Sequence, residues 1–260
     1  DRVDFLSRFT DALWQRLTTS GAGVVNLAQA LSPVIAEKHI QVFSTNAGEE
    51  QVLDRLGVAG AMAPVQGDFL GMVTQNATGN KMDWFLRREV DYRARFDPGS
   101  GQVRSTARVT LRNQAPTSGL PDYLLGSSLN PPLPKGVNRA YLSVYTPLGL
   151  TGARVDGRST TMESDTEQNR NVFSAFVIIP AGGSATIELD LKGRVEQTGR
   201  GAGYHLDLHR QPFLAPDTVT TSLELAPGWR VDRRPGARDG IERLELVADR
   251  RMRVDVSRSA

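Results

Sequence analysis

The sequence predicts an α+β chain: a small helical α/β segment over residues 1–66, then an antiparallel immunoglobulin-like β-sandwich over residues 67–260. Two changes along the chain lead to this reading. Apolar residues recur at helical spacing in the first sixty positions and at period two beyond Trp84. Past that point, short apolar runs are separated by Gly/Pro turns, the pattern of packed antiparallel sheets.

In the first segment, Phe5, Leu6, Phe9, Leu13 and Leu17 mark one helix, with Asp4 as a candidate N-cap. Gly21-Ala22-Gly23 ends it. This run resembles a fragment of a dinucleotide loop, but it follows a helix rather than a strand and is discounted. A second helix carries Val24, Leu27, Ala28, Leu31 and Ile35 on one face, and Pro33 is expected to kink or end it. Ile40 to Phe43 reads as a short buried strand. Thr45 or Asn46 then caps a third helix with Val52, Leu53 and Leu56, closed by Gly57. The segment is expected to be the tail of a domain that begins upstream.

In the second segment, Trp84, Leu86, Val90, Tyr92, Ala94 and Phe96 alternate with charged residues, and Arg88 is the one exception on the apolar face. Pro98-Gly99-Ser100-Gly101 makes a turn, after which Val103, Ala107, Val109 and Leu111 alternate with Arg104, Thr106, Arg108, Thr110 and Arg112. The two runs form one long antiparallel hairpin with a wet face. A slip of one residue would drive arginines into the core, so the register is well specified. Residues 114–138, with Pro116, Pro121, Pro131, Pro132 and Pro134, read as a long loop. Further strands are expected at Ala140–Thr146, at Val172–Ile179 (apolar on both faces, hence central), at Ile187–Leu191, at Tyr204–Leu208, at Val219–Leu225, at Leu244–Val247 and at Val254–Val256.

Composition narrows the chemistry. The 260 residues contain no cysteine, which excludes thiol catalysis, disulfides and cysteine-ligated zinc. A net charge of +2 gives no basic nucleic-acid surface, despite a pI near 9.1. No run reaches the roughly 18 apolar residues of a membrane span. The chain opens on Asp1 rather than Met, and any anchor or targeting segment is expected upstream. There is no G-x-S-x-G elbow or Walker loop. A Ser-His-Asp triad would have to use His39, His205 or His209, none of which has an evident serine partner. Paired carboxylates for glycoside hydrolysis are defined in space and leave no trace in sequence.

Three candidate sites stand out. His205, Asp207 and His209 alternate, so a strand puts all three on one face, where they would suit a divalent metal; the plainer reading is a polar outer face over Leu206 and Leu208. Arg87, Arg93, Arg95, Arg104, Arg108 and Arg112 share one face of the hairpin and could grip an anionic polymer. Interleaved Glu89, Asp91 and Asp97 favour a solvated face instead. Asn76 to Trp84 is dense in polar turn-formers and suits either a binding loop or an ordinary turn. No cofactor is indicated.

Asp4-Phe5-Leu6, Phe69 to Ala77, Gly79-Asn80-Lys81-Met82-Asp83-Trp84-Phe85-Leu86, Tyr141 to Gly149 and Phe173 to Gly182 resemble an actinobacterial family catalogued as domain of unknown function 4012. Thr74 to Leu86 is the most specific part. The resemblance implies the C-terminal part of a large extracytoplasmic envelope protein, membrane-anchored through a segment upstream of Asp1. It carries over no catalytic residues. The helical start is more remotely similar in layout to the end of the LytR-CpsA-Psr ligases, which move glycopolymers onto peptidoglycan. Their pyrophosphate-gripping arginines and acidic metal ligands lie mostly upstream of such a segment. The expectation is a non-catalytic envelope module that binds wall polysaccharide or another envelope protein. The alternative is an accessory C-terminal part of a LytR-CpsA-Psr-like glycopolymer transferase.

Overall fold

A computed structural model describes residues 2–19, 24–62, 64–195, 203–232 and 241–259. Gly21-Ala22-Gly23 lies outside the described residues. The chain divides into two compact units, Asp1–Gly60 and Ala61–Ala260.

The first unit holds α1 (Arg2–Thr19), α2 (Val24–Ala36) and α3 (Ala47–Arg55). Asn46 caps α3: its Oδ1 accepts from the backbone N–H groups of Gly48 at 2.9 Å and Glu49 at 3.3 Å. Gly57, at φ +69°, closes the helix in the left-handed region that a side chain would disfavour. Pro33 does not end α2, which continues to Ala36. The expected strand at Ile40–Phe43 does not form. Val42 donates to Val58 O at 2.9 Å, but no strand pairs with this run among the described residues. Phe43 is 77% exposed, so the run lacks both the ladder and the burial that make a strand. On α1, Phe5, Phe9, Leu13 and Trp14 are exposed, with the Phe5 and Phe9 rings stacked at 6.4 Å.

The second unit is mostly β, built from two mixed sheets. One sheet contains β1 (Asp68–Asn76), β4 (Asn138–Thr146), β7 (Glu163–Glu167), β8 (Arg170–Ile179), β10 (Gly203–His209), β12 (Trp229–Val231) and β14 (Arg250–Arg258). Its order is β12-β14-β10-β1-β4-β8-β7. The other contains β2 (Leu86–Asp97), β3 (Gln102–Asn113), β5 (Gly149–Val155), β6 (Arg158–Ser159), β9 (Ser184–Arg194), β11 (Asp217–Leu225) and β13 (Ile241–Leu246), in the order β13-β11-β2-β3-β9-β5-β6. Most neighbours are antiparallel, but β1 runs parallel to β10 and β2 runs parallel to β11. These long-range parallel pairings are where the fold departs from an all-antiparallel expectation.

Alternation along the strands produces the core. Leu70, Met72, Leu142, Val144 and Leu206 from one sheet meet Val90, Tyr92, Phe96, Val109 and Leu189 from the other in one buried cluster. Each such side chain is worth roughly 1.5–3 kcal/mol on burial. The β2–β3 hairpin has the register its sequence demands, with Val90 opposite Val109, Tyr92 opposite Ala107 and Phe96 opposite Val103. Asp97 organises the turn by accepting from Gly99 N–H at 2.9 Å and from the Ser100 hydroxyl.

Two strand expectations need correction. Trp84 lies outside β2, in a 3-10 turn (Met82–Phe85), and is 65% exposed. Val172–Ile179 is not central, because β8 has only the edge strand β7 beyond it. Its outward Phe176 and Ile178 are about half exposed. Phe176 is covered by the Arg139 guanidinium, 3.7 Å from the ring centroid, and by Tyr141.

Candidate binding cleft

The polar run after β1 builds a rigid loop. Asn76 Oδ1 accepts from Thr78 N–H at 2.8 Å, and Asn76 Nδ2 donates to Asn80 Oδ1 at 2.8 Å. The Thr78 hydroxyl lies 2.6 Å from both Asn76 Oδ1 and Asn80 Oδ1 and donates to one of them. Met82 N–H adds a further bond to Asn80 Oδ1 at 3.2 Å, which starts the 3-10 turn that turns Trp84 outward. These amide groups are consumed internally, so they hold the loop in shape rather than facing a ligand.

The proline-rich loop docks on it. Ser128 N–H and Oγ both donate to Thr78 O, at 2.9 and 2.8 Å, and Asn80 Nδ2 donates to Gly126 O. Gly79 makes this contact possible: a Cβ there would sit 2.3 Å from Ser128 Oγ, and φ is +71°. The short helix α4 (Asp122–Leu125) contributes Leu125, which packs with Met82 and Ala115 in a small core of its own, edged by Phe85 and Leu124.

Between these loops and residue Leu214 opens a cleft of about 800 Å³. Trp84, Phe85, Leu120, Leu124 and Leu214 supply its apolar walls; Lys81 and Asp83 add charge. Trp84 and Leu214 are more than 60% exposed, an unusual state for large apolar groups that line a shared concavity. Burial, the largest influence, raises the Asp83 carboxyl above the usual range, opposed by the Asn138 amide and the charges of Arg88 and Lys81. Asp83 Oδ1 and both amide atoms of Asn138 are buried without a partner in good hydrogen-bond geometry. The Asn138 amide is nonetheless close enough to hold the carboxyl down.

Behind the cleft sits Arg88, the sequence's exception on the apolar face, now 3% exposed. Its Nε and Nη2 grip Asp217 at 2.6 and 3.0 Å, and Nη1 donates to Thr74 Oγ1 at 2.9 Å and to Gln211 Oε1. Phe213 lies under the guanidinium at 4.1 Å. Gln211 in turn exchanges two 2.9 Å bonds with the Thr74 backbone. One side chain thus ties β1, β2, β11 and the segment before β11 together beside the cleft. Burial pushes the Arg88 pKa down and that of Asp217 up, and their mutual attraction opposes both shifts.

The other sequence candidates lie elsewhere. His205, Asp207 and His209 do share the outer face of β10, half-buried. Asp207 accepts from Arg251 at 2.7 Å, and His209 Nδ1 is 3.4 Å from Asp249. Burial, then the charge of Arg253, lowers the His205 pKa. Among the described residues no three His, Asp or Glu side chains are grouped to hold a metal. Arg87, Arg93, Arg95, Arg104, Arg108 and Arg112 are all exposed on one sheet face. Several are neutralised: Arg112 by Glu89 at 2.8 Å, Arg93 by Asp91 at 2.6 Å and Arg108 by Glu188 at 3.5 Å. Arg87 donates to the carbonyls of Trp84 and Leu86.

No family model matches the chain, and no curated protein does. Several solved structures are similar at low identity. A Legionella pneumophila protein described as nutrient-binding is similar over 74% of this chain and 71% of its own, at 8% identity and a TM-score of 0.39. An M1 zinc metallopeptidase of Deinococcus radiodurans, bound to a Tyr-Ser-Ala substrate, is similar over 66% of this chain at 11% identity and a TM-score of 0.36. Yeast LTA4 hydrolase with bestatin is similar over 66% at 9% identity and a TM-score of 0.34. This chain spans 42% and 29% of those two enzymes. Similarity at this level assigns nothing to the cleft.

Sequence reasoning pointed to the Asn76–Trp84 run, which holds Lys81 and Asp83, but missed Leu120, Leu124 and Leu214 as neighbours in the same cleft. It also missed Asp68, fully buried in the core and bonded by the hydroxyls of Tyr92 and Tyr204. The signals available were Arg88, out of register with its charge, and the crowding of turn-formers before Trp84.

Proposed function

We propose that the β unit is a non-catalytic binding module of the cell envelope, working outside the cytoplasmic membrane, and that the cleft beside Trp84 takes a cell-wall polysaccharide. The observation that carries this reading is the exposed Trp84 ring on a wall of the 800 Å³ cleft, with Lys81 and Asp83 beside it. A flat indole suits the C–H face of a sugar ring, while the ammonium and carboxylate suit its hydroxyls. The loops that present these groups are held by the Asn76–Thr78–Asn80 bonds and by the Ser128 contact, so binding orders little that is not already fixed. The extracytoplasmic setting and an upstream anchor rest on the resemblance to the envelope family. The immunoglobulin-like layout belongs to the same reading: loops at one end of two packed sheets form the recognition surface.

The test is binding of purified wall polysaccharide to the full chain by affinity electrophoresis. Trp84→Ala is expected to weaken it about tenfold, equivalent to about 1.4 kcal/mol, and Trp14→Ala to leave it unchanged. Equal binding by wild type and Trp84→Ala would remove the cleft from the function.

A further inference from the structure

On the outer face of the β2–β3 sheet, register places side chains of one sign in a row. Arg95 lies directly opposite Arg104, and Arg104 directly opposite Lys192, on the adjacent strands β2, β3 and β9. Directly opposed residues have Cβ atoms about 5 Å apart, and like charges in that relation destabilise a sheet. The row continues to Glu224 on β11 at one end and to Gly149 on β5 at the other. Glu224 reaches Arg95 only loosely, at 3.7 Å, and both are exposed. Among the described residues neither Arg104 nor Lys192 forms an ion pair. This contrasts with Arg93, Arg108 and Arg112 on the same face, each of which meets a carboxylate.

The row also has a shape. Arg95, Arg104 and Lys192 line a groove of about 790 Å³, and Gly149, opposite Lys192 on β5, adds no side chain to the row. The nearby carboxylate of Asp190 is already held by Arg154 at 2.8 Å and by the Thr106 hydroxyl at 3.1 Å. It therefore neutralises little of the row. Three cations across three strands span about 10 Å at the usual strand spacing. Two guanidinium forks and one ammonium point charge suit phosphate oxygens, which accept from both kinds of donor.

We propose that this row is a binding site for a short linear oligophosphate, separate from the cleft beside Trp84. Such a ligand supplies the negative charge that the sheet itself withholds from Arg104 and Lys192. The test uses tripolyphosphate as the probe, titrated calorimetrically into the full chain at low salt, with tricarballylate as the carboxylate comparison. The expected result is that wild type binds tripolyphosphate more tightly than tricarballylate. Arg104→Gln should weaken tripolyphosphate at least tenfold, while Arg108→Gln and Trp84→Ala should change it less than twofold. Equal losses for Arg104→Gln and Arg108→Gln would reduce the effect to general surface charge and overturn the site. Equal affinity for the two probes would overturn the assignment to phosphate. Because Trp84→Ala is read in the same series, failure of the cleft and failure of this row are distinguishable.

Discussion

Asp68 makes stability depend on pH in an unusual direction. It is fully buried between the sheets, where its Oδ2 accepts from the Tyr92 hydroxyl at 2.6 Å and also from Tyr204, and its Oδ1 accepts from Phe69 N–H at 2.8 Å. Those three bonds favour the carboxylate, but burial outweighs them and raises its pKa from 3.8 to about 6. The folded state therefore holds a proton that the unfolded state releases. Its contribution to stability is complete below about pH 3.8 and is lost as the pH rises through 6. At about 1.4 kcal/mol per pH unit across that interval, the loss is about 3 kcal/mol. Other carboxylates titrate in the same range, so the clean comparison is with Asp68→Asn. Urea unfolding of both proteins between about pH 4 and pH 8 gives the difference in stability at each pH. Wild type should lose about 3 kcal/mol relative to the variant as the pH rises. A difference that stays constant, or one in which wild type gains with pH, would mean that the hydrogen bonds to Asp68 match or outweigh desolvation, and the reasoning would fail.

Three further outcomes are expected. Asp217→Asn leaves the buried Arg88 charge without its bidentate partner and should cost about 3–5 kcal/mol in urea unfolding; a loss below 1 kcal/mol would show that Thr74, Gln211 and Phe213 suffice. Gly79→Ala should raise hydrogen exchange in residues 76–85 and 121–128 together, because a Cβ meets Ser128 Oγ at 2.3 Å and φ is +71°; unchanged exchange in the second stretch would show that the loops are not coupled there. Leu125→Ala removes a fully buried side chain from the small core beneath the cleft and should cost about 2–5 kcal/mol while weakening polysaccharide binding. Stability lost with binding intact would separate that core from the cleft.

The hairpin was legible because its charges and apolar residues alternate without a slip, and only one register keeps the arginines wet. Arg88 could be picked out as the exception, but not explained, since its partner Asp217 lies 129 residues along the chain. The parallel pairings β1–β10 and β2–β11 escaped for the same reason: nothing local in Asp68–Asn76 indicates a strand more than a hundred residues away. Trp84 continued the alternation by coincidence, and the Asn80 side chain overrode it by starting a turn. Ile40–Phe43 had the composition of a strand, but among the described residues no strand pairs with it. The arginine face was readable as a face. The distinction between paired arginines and the Arg95–Arg104–Lys192 row needed the cross-strand register of β9, which a sequence does not display.

The cleft between the two docked loops is where polysaccharide is proposed to meet the protein. Titrating isotope-labelled full chain with wall-polysaccharide fragments and following the indole N–H of each tryptophan tests this directly. The Trp84 signal should shift progressively, together with the backbone amides of Lys81, Leu124 and Leu214, while Trp14 and Trp229 stay fixed. A Trp84 signal that does not move at saturating ligand would contradict it.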